Sequence, residues 1–199
     1  MLMRRIVDVL FGFCCLVLAA PCMLIIAILI KRTSPGPIFY IPKMVGQHGQ
    51  LFPLFRFRTM YTAPADQRMP DQPVTPIGWF IRNYSLDHLP TLLNLIVGHI
   101  TIIGPRPMEL AVVDMRDPTW RRYFQIMPGF FNYAVLKLGN MWTPSRISHP
   151  ERNQTLELTY IQQQSGWGDS KLFLQFLAAW ISSKGNVKAR KNAEVPLDD

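Results

Sequence analysis

The stretch from Ile6 to Ile30 constrains this chain more than any other part of it. It is 25 residues long, and Asp8 is its one charged member. At about 1.5 Å per residue, a helix of that length can cross a ~30 Å hydrocarbon core. A cleaved leader would have a shorter apolar region, roughly 7–15 residues, and then a small-residue cleavage site. Here the run ends instead in Lys31 and Arg32. Both ends are basic, since Arg4 and Arg5 precede the run. Basic flanks favour the cytoplasmic side, and both flanks qualify. Pro21 removes a helical hydrogen bond and favours a bend. Two arrangements therefore stay open. One is a re-entrant helix that enters and leaves on the cytoplasmic face. The other is a straight span with a tolerated proline.

The charge points to partners. Lys plus Arg outnumber Asp plus Glu, 21 to 13, giving +8. Such an excess suits nucleic acid, anionic lipid headgroups or phosphorylated substrates. The membrane run and the lack of a nucleic-acid motif argue against nucleic acid. Cys14, Cys15 and Cys22 all lie in the apolar run without zinc spacing, and read as small hydrophobes in a reduced setting.

After TSPGP, an extended exit, Gly46 and Gly49 bracket a turn. LFPLFRFRTM alternates, with Phe55 and Phe57 on one side and Arg56 and Arg58 on the other. That period predicts a half-buried strand presenting two guanidiniums, or a strand edge protected by charge. Residues 63–76 read as a Pro- and Asp-rich loop, a candidate lid. Helices are predicted over Ile77–Asn83, Leu86–Val97, Asp114–Phe124 and 155–164. SGWGDS reads as a break before a last helix, Lys171–Ser183. Its stripe of Leu172, Phe173, Phe176, Leu177, Trp180 and Ile181 suits a core or a bilayer interface. TIIGPRP predicts a short strand, then a turn pinning Arg106 between two prolines. The tail after 184 is polar and reads as disordered.

Asp87 precedes an apolar helical pattern, and Pro90 fits a first turn. One reading makes Asp87 an N-cap. In the other, amides and a helix dipole keep the carboxylate ionised, ready to attack phosphorus. Arg56, Arg58, Arg82 and Arg106 are candidates to bind the phosphate oxygens.

The ordered pieces RRIVD, SPGP, VGQHG, RFRTM, VTPIGWFIRNYSLDHLPTLLN, IIGPRP, the Pro128–Gly129 turn and Tyr160…Trp167…Asp169 cover about residues 3–185. This set resembles the bacterial sugar transferases, the monotopic phosphoglycosyl transferases. The resemblance implies an α/β fold, mostly helical with few short strands and with interfacial amphipathic helices. It implies a re-entrant membrane helix over 1–32, a cytoplasmic catalytic domain over 33–184 and a tail over 185–199. It also implies transfer of a phosphosugar from a UDP-sugar to a polyprenyl phosphate such as undecaprenyl phosphate, at the bacterial inner membrane, in glycan assembly. Asp87 matches the nucleophile of an Asp-Glu dyad that organises Mg2+, so Asp87 would also touch the metal. Arg82, Arg106 and Arg56 or Arg58 match the family's basic residues. A homodimer is left open.

The departures from that pattern are specific. His88 replaces the dyad Glu, and imidazole is a poor substitute for an oxygen ligand to magnesium, though it can move protons. His99 replaces an acid, Met44 an arginine and Ala20 a serine. Phe130, Phe131 and Asn132 replace a Thr-Gly-containing segment. The same departures support a second reading, a non-catalytic relative that binds nucleotide sugar or lipid carrier, or scaffolds a partner enzyme.

Overall fold

The computed structural model describes residues 2–62, 73–138, 150–163 and 166–184. The first helix, α1 (Leu2–Thr33), continues through Pro21. It is long and apolar enough to cross a membrane. One side of it, including Leu10, Phe13, Leu18, Leu24 and Ile25, is exposed. The other side is fastened to the rest of the chain. Asp8 is 4% exposed, and a carboxylate in an apolar helix must find donors. It accepts from the Thr101 hydroxyl at 2.9 Å and the Ile102 amide at 3.0 Å. Arg4 donates to the Ile103 carbonyl at 2.7 Å, and Arg5 to the Leu95 carbonyl at 2.6 Å. Farther along, Ile26 and Ile30 are buried with Phe57 and Ile81.

The strands are short, as expected. β1 (Phe39–Tyr40) pairs antiparallel with β4 (Arg56–Phe57). β2 (Lys43–Val45) lies between β3 (Leu51–Pro53) and β6 (Met108–Glu109), antiparallel to both. β5 (Thr101–Ile103) runs parallel to β7 (Gly129–Phe131). That last pair is close enough to need glycine. A Cβ on Gly129 would sit 2.0 Å from the Gly104 nitrogen. The helices are α2 (Pro76–Asn83), α3 (Thr91–Val97), α4 (Pro118–Tyr123), α5 (Tyr133–Leu138), α6 (Pro150–Gln163) and α7 (Gly166–Lys184).

Several boundaries differ from the sequence reading. The helix predicted over Leu86–Val97 is broken into a single 3-10 turn, Leu86–His88, and α3. Pro90 has no amide to continue a helix, and Ser85, at φ 54, separates α2 from the turn that follows it. The helix predicted from Asp114 begins only at Pro118, where Asp117 accepts from the Thr119 amide at 2.8 Å. SGWGDS is no break from Gly166 on, because Gly166 to Ser170 open α7. Asp169 lies in that first turn, where its charge suits the dipole. It accepts from Tyr160 at 2.7 Å and pairs with Arg4 at 3.0 Å. The strand predicted over 51–60 is instead two short strands in different sheets, β3 and β4, the second ending at Phe57.

The α7 stripe is core where it is described. Phe176 is buried with Ile103 and Tyr160, and Leu172 and Phe173 pack against them. The side chains of Leu177, Trp180 and Ile181 lie outside the described residues, as do 63–72 of the expected loop and the 185–199 tail.

Asp8→Ala should strand a hydroxyl and an amide, at about 1–3 kcal/mol each. Thermal melting in detergent is expected to drop clearly for this variant, and less for Asp8→Asn, whose amide oxygen still accepts. Equal melting of wild type and Asp8→Ala would show that these bonds do not hold α1.

Candidate active site

The site is assembled by α3. Asn94 is fully buried in this helix. Its Oδ1 accepts from the Phe55 amide at 2.9 Å, and its Nδ2 donates to the Pro53 carbonyl at 2.6 Å. Thr91 donates to the Phe55 carbonyl at 2.9 Å. The residue delivered by this grip is Arg56. Its guanidinium is the common electrostatic neighbour of Asp87, His88, Arg82, Arg106 and Glu109. Its Nε is buried without a hydrogen-bond partner.

Arg82 comes from the last turn of α2. Thr75 caps that helix by accepting from the Gly78 amide at 2.9 Å. Arg82 Nε donates to the Thr59 hydroxyl at 2.8 Å. Arg106 comes from the proline-flanked turn after β5. The turn is held because Pro105 accepts from the Gly129 amide at 2.8 Å and the Arg106 carbonyl accepts from the Tyr123 hydroxyl at 3.0 Å. Arg58 is not brought to this group. It is 6% exposed and donates to Ser34 and Thr62 side chains at 2.7 and 2.6 Å, and to the Ser34 carbonyl at 3.0 Å. It ties the α1 exit to the strand, a structural role that replaces the expected phosphate contact.

Asp87 lies within the 3-10 turn rather than at the cap of a long helix. The expectation that amides and a helix dipole keep it ionised meets an opposing influence here. Burial pushes its carboxyl up and outweighs Arg56, its own amide and Arg82, which pull it down. A more basic carboxylate is a better nucleophile once ionised. Burial, with Arg56 and Arg106 beside it, pushes the His88 imidazole down to about 3. It is therefore neutral near pH 7. The 3.5 Å separation of His88 Nε2 and Asp87 Oδ2 is a ring–carboxylate contact, not an ion pair.

Sequence reasoning missed two residues here. Glu109 follows the proline turn on β6 and faces Arg56 electrostatically. Glu157 on α6 is 1% exposed and accepts from the Ala134 amide at 3.0 Å. Its electrostatic neighbours include Arg106 and Tyr123. For Glu109 the signal was its place two residues after Pro107. Glu157 gave none, because a charge in mid-helix reads as a solvated face.

The chain belongs to the bacterial sugar transferase family, whose model matches residues 1–183. Among its relatives is a protein of Caulobacter vibrioides named UDP-glucose:undecaprenyl-phosphate glucose-1-phosphate transferase. It is 30% identical over 92% of this chain and 71% of its own length. An Escherichia coli K12 protein of the same name is 29% identical over 91% of this chain, which spans only 41% of that relative. The exopolysaccharide production protein ExoY of Sinorhizobium fredii is 29% identical over 92% of this chain and 87% of its own length.

The residues around Asp87 do not fit the magnesium that the resemblance implies. Magnesium wants oxygen ligands, and Asp87 has an imidazole for its nearest dyad partner.

Burial pushes the Glu157 carboxyl up to about 8. The folded protein therefore keeps this proton where the unfolded chain has lost it. Stability from this group is present at low pH and falls as pH rises from about 4.5 to about 8. Glu157→Gln keeps an acceptor for Ala134 and removes the titration. Melting temperature against pH should flatten over that window in the variant. Parallel curves would refute the assignment.

Proposed function

We propose that this protein is a membrane-bound phosphoglycosyl transferase. It would move a phosphosugar from a UDP-sugar to a polyprenyl phosphate such as undecaprenyl phosphate. The observation that carries the reading is Arg56. It links arginines from three separate elements to one half-buried carboxylate. Guanidiniums suit phosphate oxygens, and a positioned carboxylate suits nucleophilic catalysis at phosphorus. The relatives' names supply the donor and acceptor classes.

In this mechanism an Asp87 oxygen attacks the sugar-linked phosphorus. The bond from that phosphorus to the oxygen bridging the two phosphates breaks, and UMP leaves with the bridging oxygen. A polyprenyl phosphate oxygen then attacks the same phosphorus and releases Asp87. Arg56, Arg82 and Arg106 stabilise charge on the phosphoryl oxygens throughout. The product is a polyprenyl diphosphate sugar for glycan assembly.

For α1 the reading is a re-entrant helix at the bacterial inner membrane, with residues 33–184 on the cytoplasmic side. What supports it is that both halves of α1 pack on the same body. Arg4, Arg5 and Asp8 meet β5 and α3, while Ile26 and Ile30 meet Phe57 and Ile81. A straight span would part those ends by the full bilayer.

The test is UMP release by detergent-solubilised protein given UDP-sugars, beginning with UDP-glucose, and undecaprenyl phosphate. Asp87→Asn is expected to abolish release, by about 10³-fold or more. Undiminished release in that variant would refute the nucleophile. A folded wild type that releases UMP from no donor would favour the non-catalytic relative.

A further inference from the structure

We propose that this chain holds the diphosphate of its nucleotide-sugar donor by guanidinium charge, without a divalent cation bound to the protein. The inference rests on the transferase reading above and concerns how that same site neutralises its substrate.

Charge counting is the first argument. Arg56, Arg82 and Arg106 bring three positive charges, and Asp87 and Glu109 bring two negative charges. Residue 88 is histidine, which is neutral or positive in either protonation state and never negative. Before substrate binds, a dication here would meet a net positive surround, in a half-buried site where like charges repel strongly. A carboxylate at position 88 would lower that barrier and supply an oxygen ligand. The imidazole does neither. Asp87 would also have to serve as metal ligand and nucleophile at once.

The second argument concerns donors. The Arg56 Nε is buried and unpartnered. An unsatisfied buried N–H is unfavourable, and a phosphate oxygen would relieve it. The remaining constraint is geometric. Asn94 and Thr91 bond to both sides of Phe55, so the backbone just before Arg56 has little room to relax. The guanidinium is therefore placed before substrate arrives, and placing it costs the complex little entropy. Free UDP carries more negative charge than its magnesium complex. A site built from arginines should prefer the free anion.

The experiment is equilibrium binding of UDP to the full chain in detergent, with magnesium and with a chelator. Wild-type affinity is expected to stay within about threefold on chelation, or to tighten. His88→Glu sets two carboxylates side by side against the diphosphate. Its UDP binding should weaken by about tenfold or more when magnesium is removed. Wild-type binding that falls tenfold on chelation would overturn this inference and leave the transferase reading standing. No saturable UDP binding in either buffer, from protein that melts cooperatively, would overturn both. If His88→Glu fails to fold, the wild-type comparison still decides. A folded His88→Glu that binds UDP equally well in both buffers would remove residue 88 as the cause.

Discussion

Asp8 is the constraint from which the arrangement of this protein follows. A carboxylate cannot remain unsatisfied in an apolar helix. Its two acceptors are filled by Thr101 and Ile102, at the start of β5. That strand leads directly into the proline-flanked turn that carries Arg106. The bond that fastens the long apolar helix thus also fixes the backbone from which a site arginine projects. Arg4 extends the link, reaching β5 and Asp169 on α7. The helix that is apolar enough to cross a membrane is also a structural part of the body that carries the site.

The site has the opposite problem, an excess of positive charge at close range. Arg56 and Arg106 repel one another, and burial disfavours both charges. Packing must hold them together. Asn94 and Thr91 fix the approach to Arg56, Thr59 holds Arg82, and Tyr123 with Gly129 fixes the turn of Arg106. Such preorganised charge is unfavourable in the empty protein and is relieved by an anion, which is the economy expected of a phosphoryl-transfer site.

The sequence showed elements whose signal is local. The α1 run, the Thr75–Pro76 start of α2 and the strand before Pro105 could all be read from spacing and turn chemistry. Asp87, Arg56, Arg82 and Arg106 were legible as a set because a resemblance ordered them. Other features depend on tertiary partners that spacing does not encode. Alternation places Arg56 and Arg58 on a common face, yet the α1 exit captures Arg58 and leaves Arg56 to the site. Asn94 looks like a weak polar residue in an apolar helix. Its function appears only when Pro53 and Phe55 are seen beside it. The fate of Leu86–Val97 also depended on more than apolar spacing. The period is helical throughout, but Pro90 breaks the hydrogen-bond ladder.

The departures from the family pattern take on a different meaning once they are located. Met44 is buried with Phe52, Leu54, Leu95 and Ile100, and Phe130 packs on the same cluster. His99 stacks on Phe52, with ring centres 5.3 Å apart. Phe131 belongs to the neighbouring core around Phe176. Met44, His99 and Phe130 thus meet in one core under the β2–β3 pair, and Phe131 lies in the next. Of the departures among 44, 88, 99, 130 and 131, His88 is the one in contact with Asp87. It is therefore the departure that bears directly on the chemistry of Asp87.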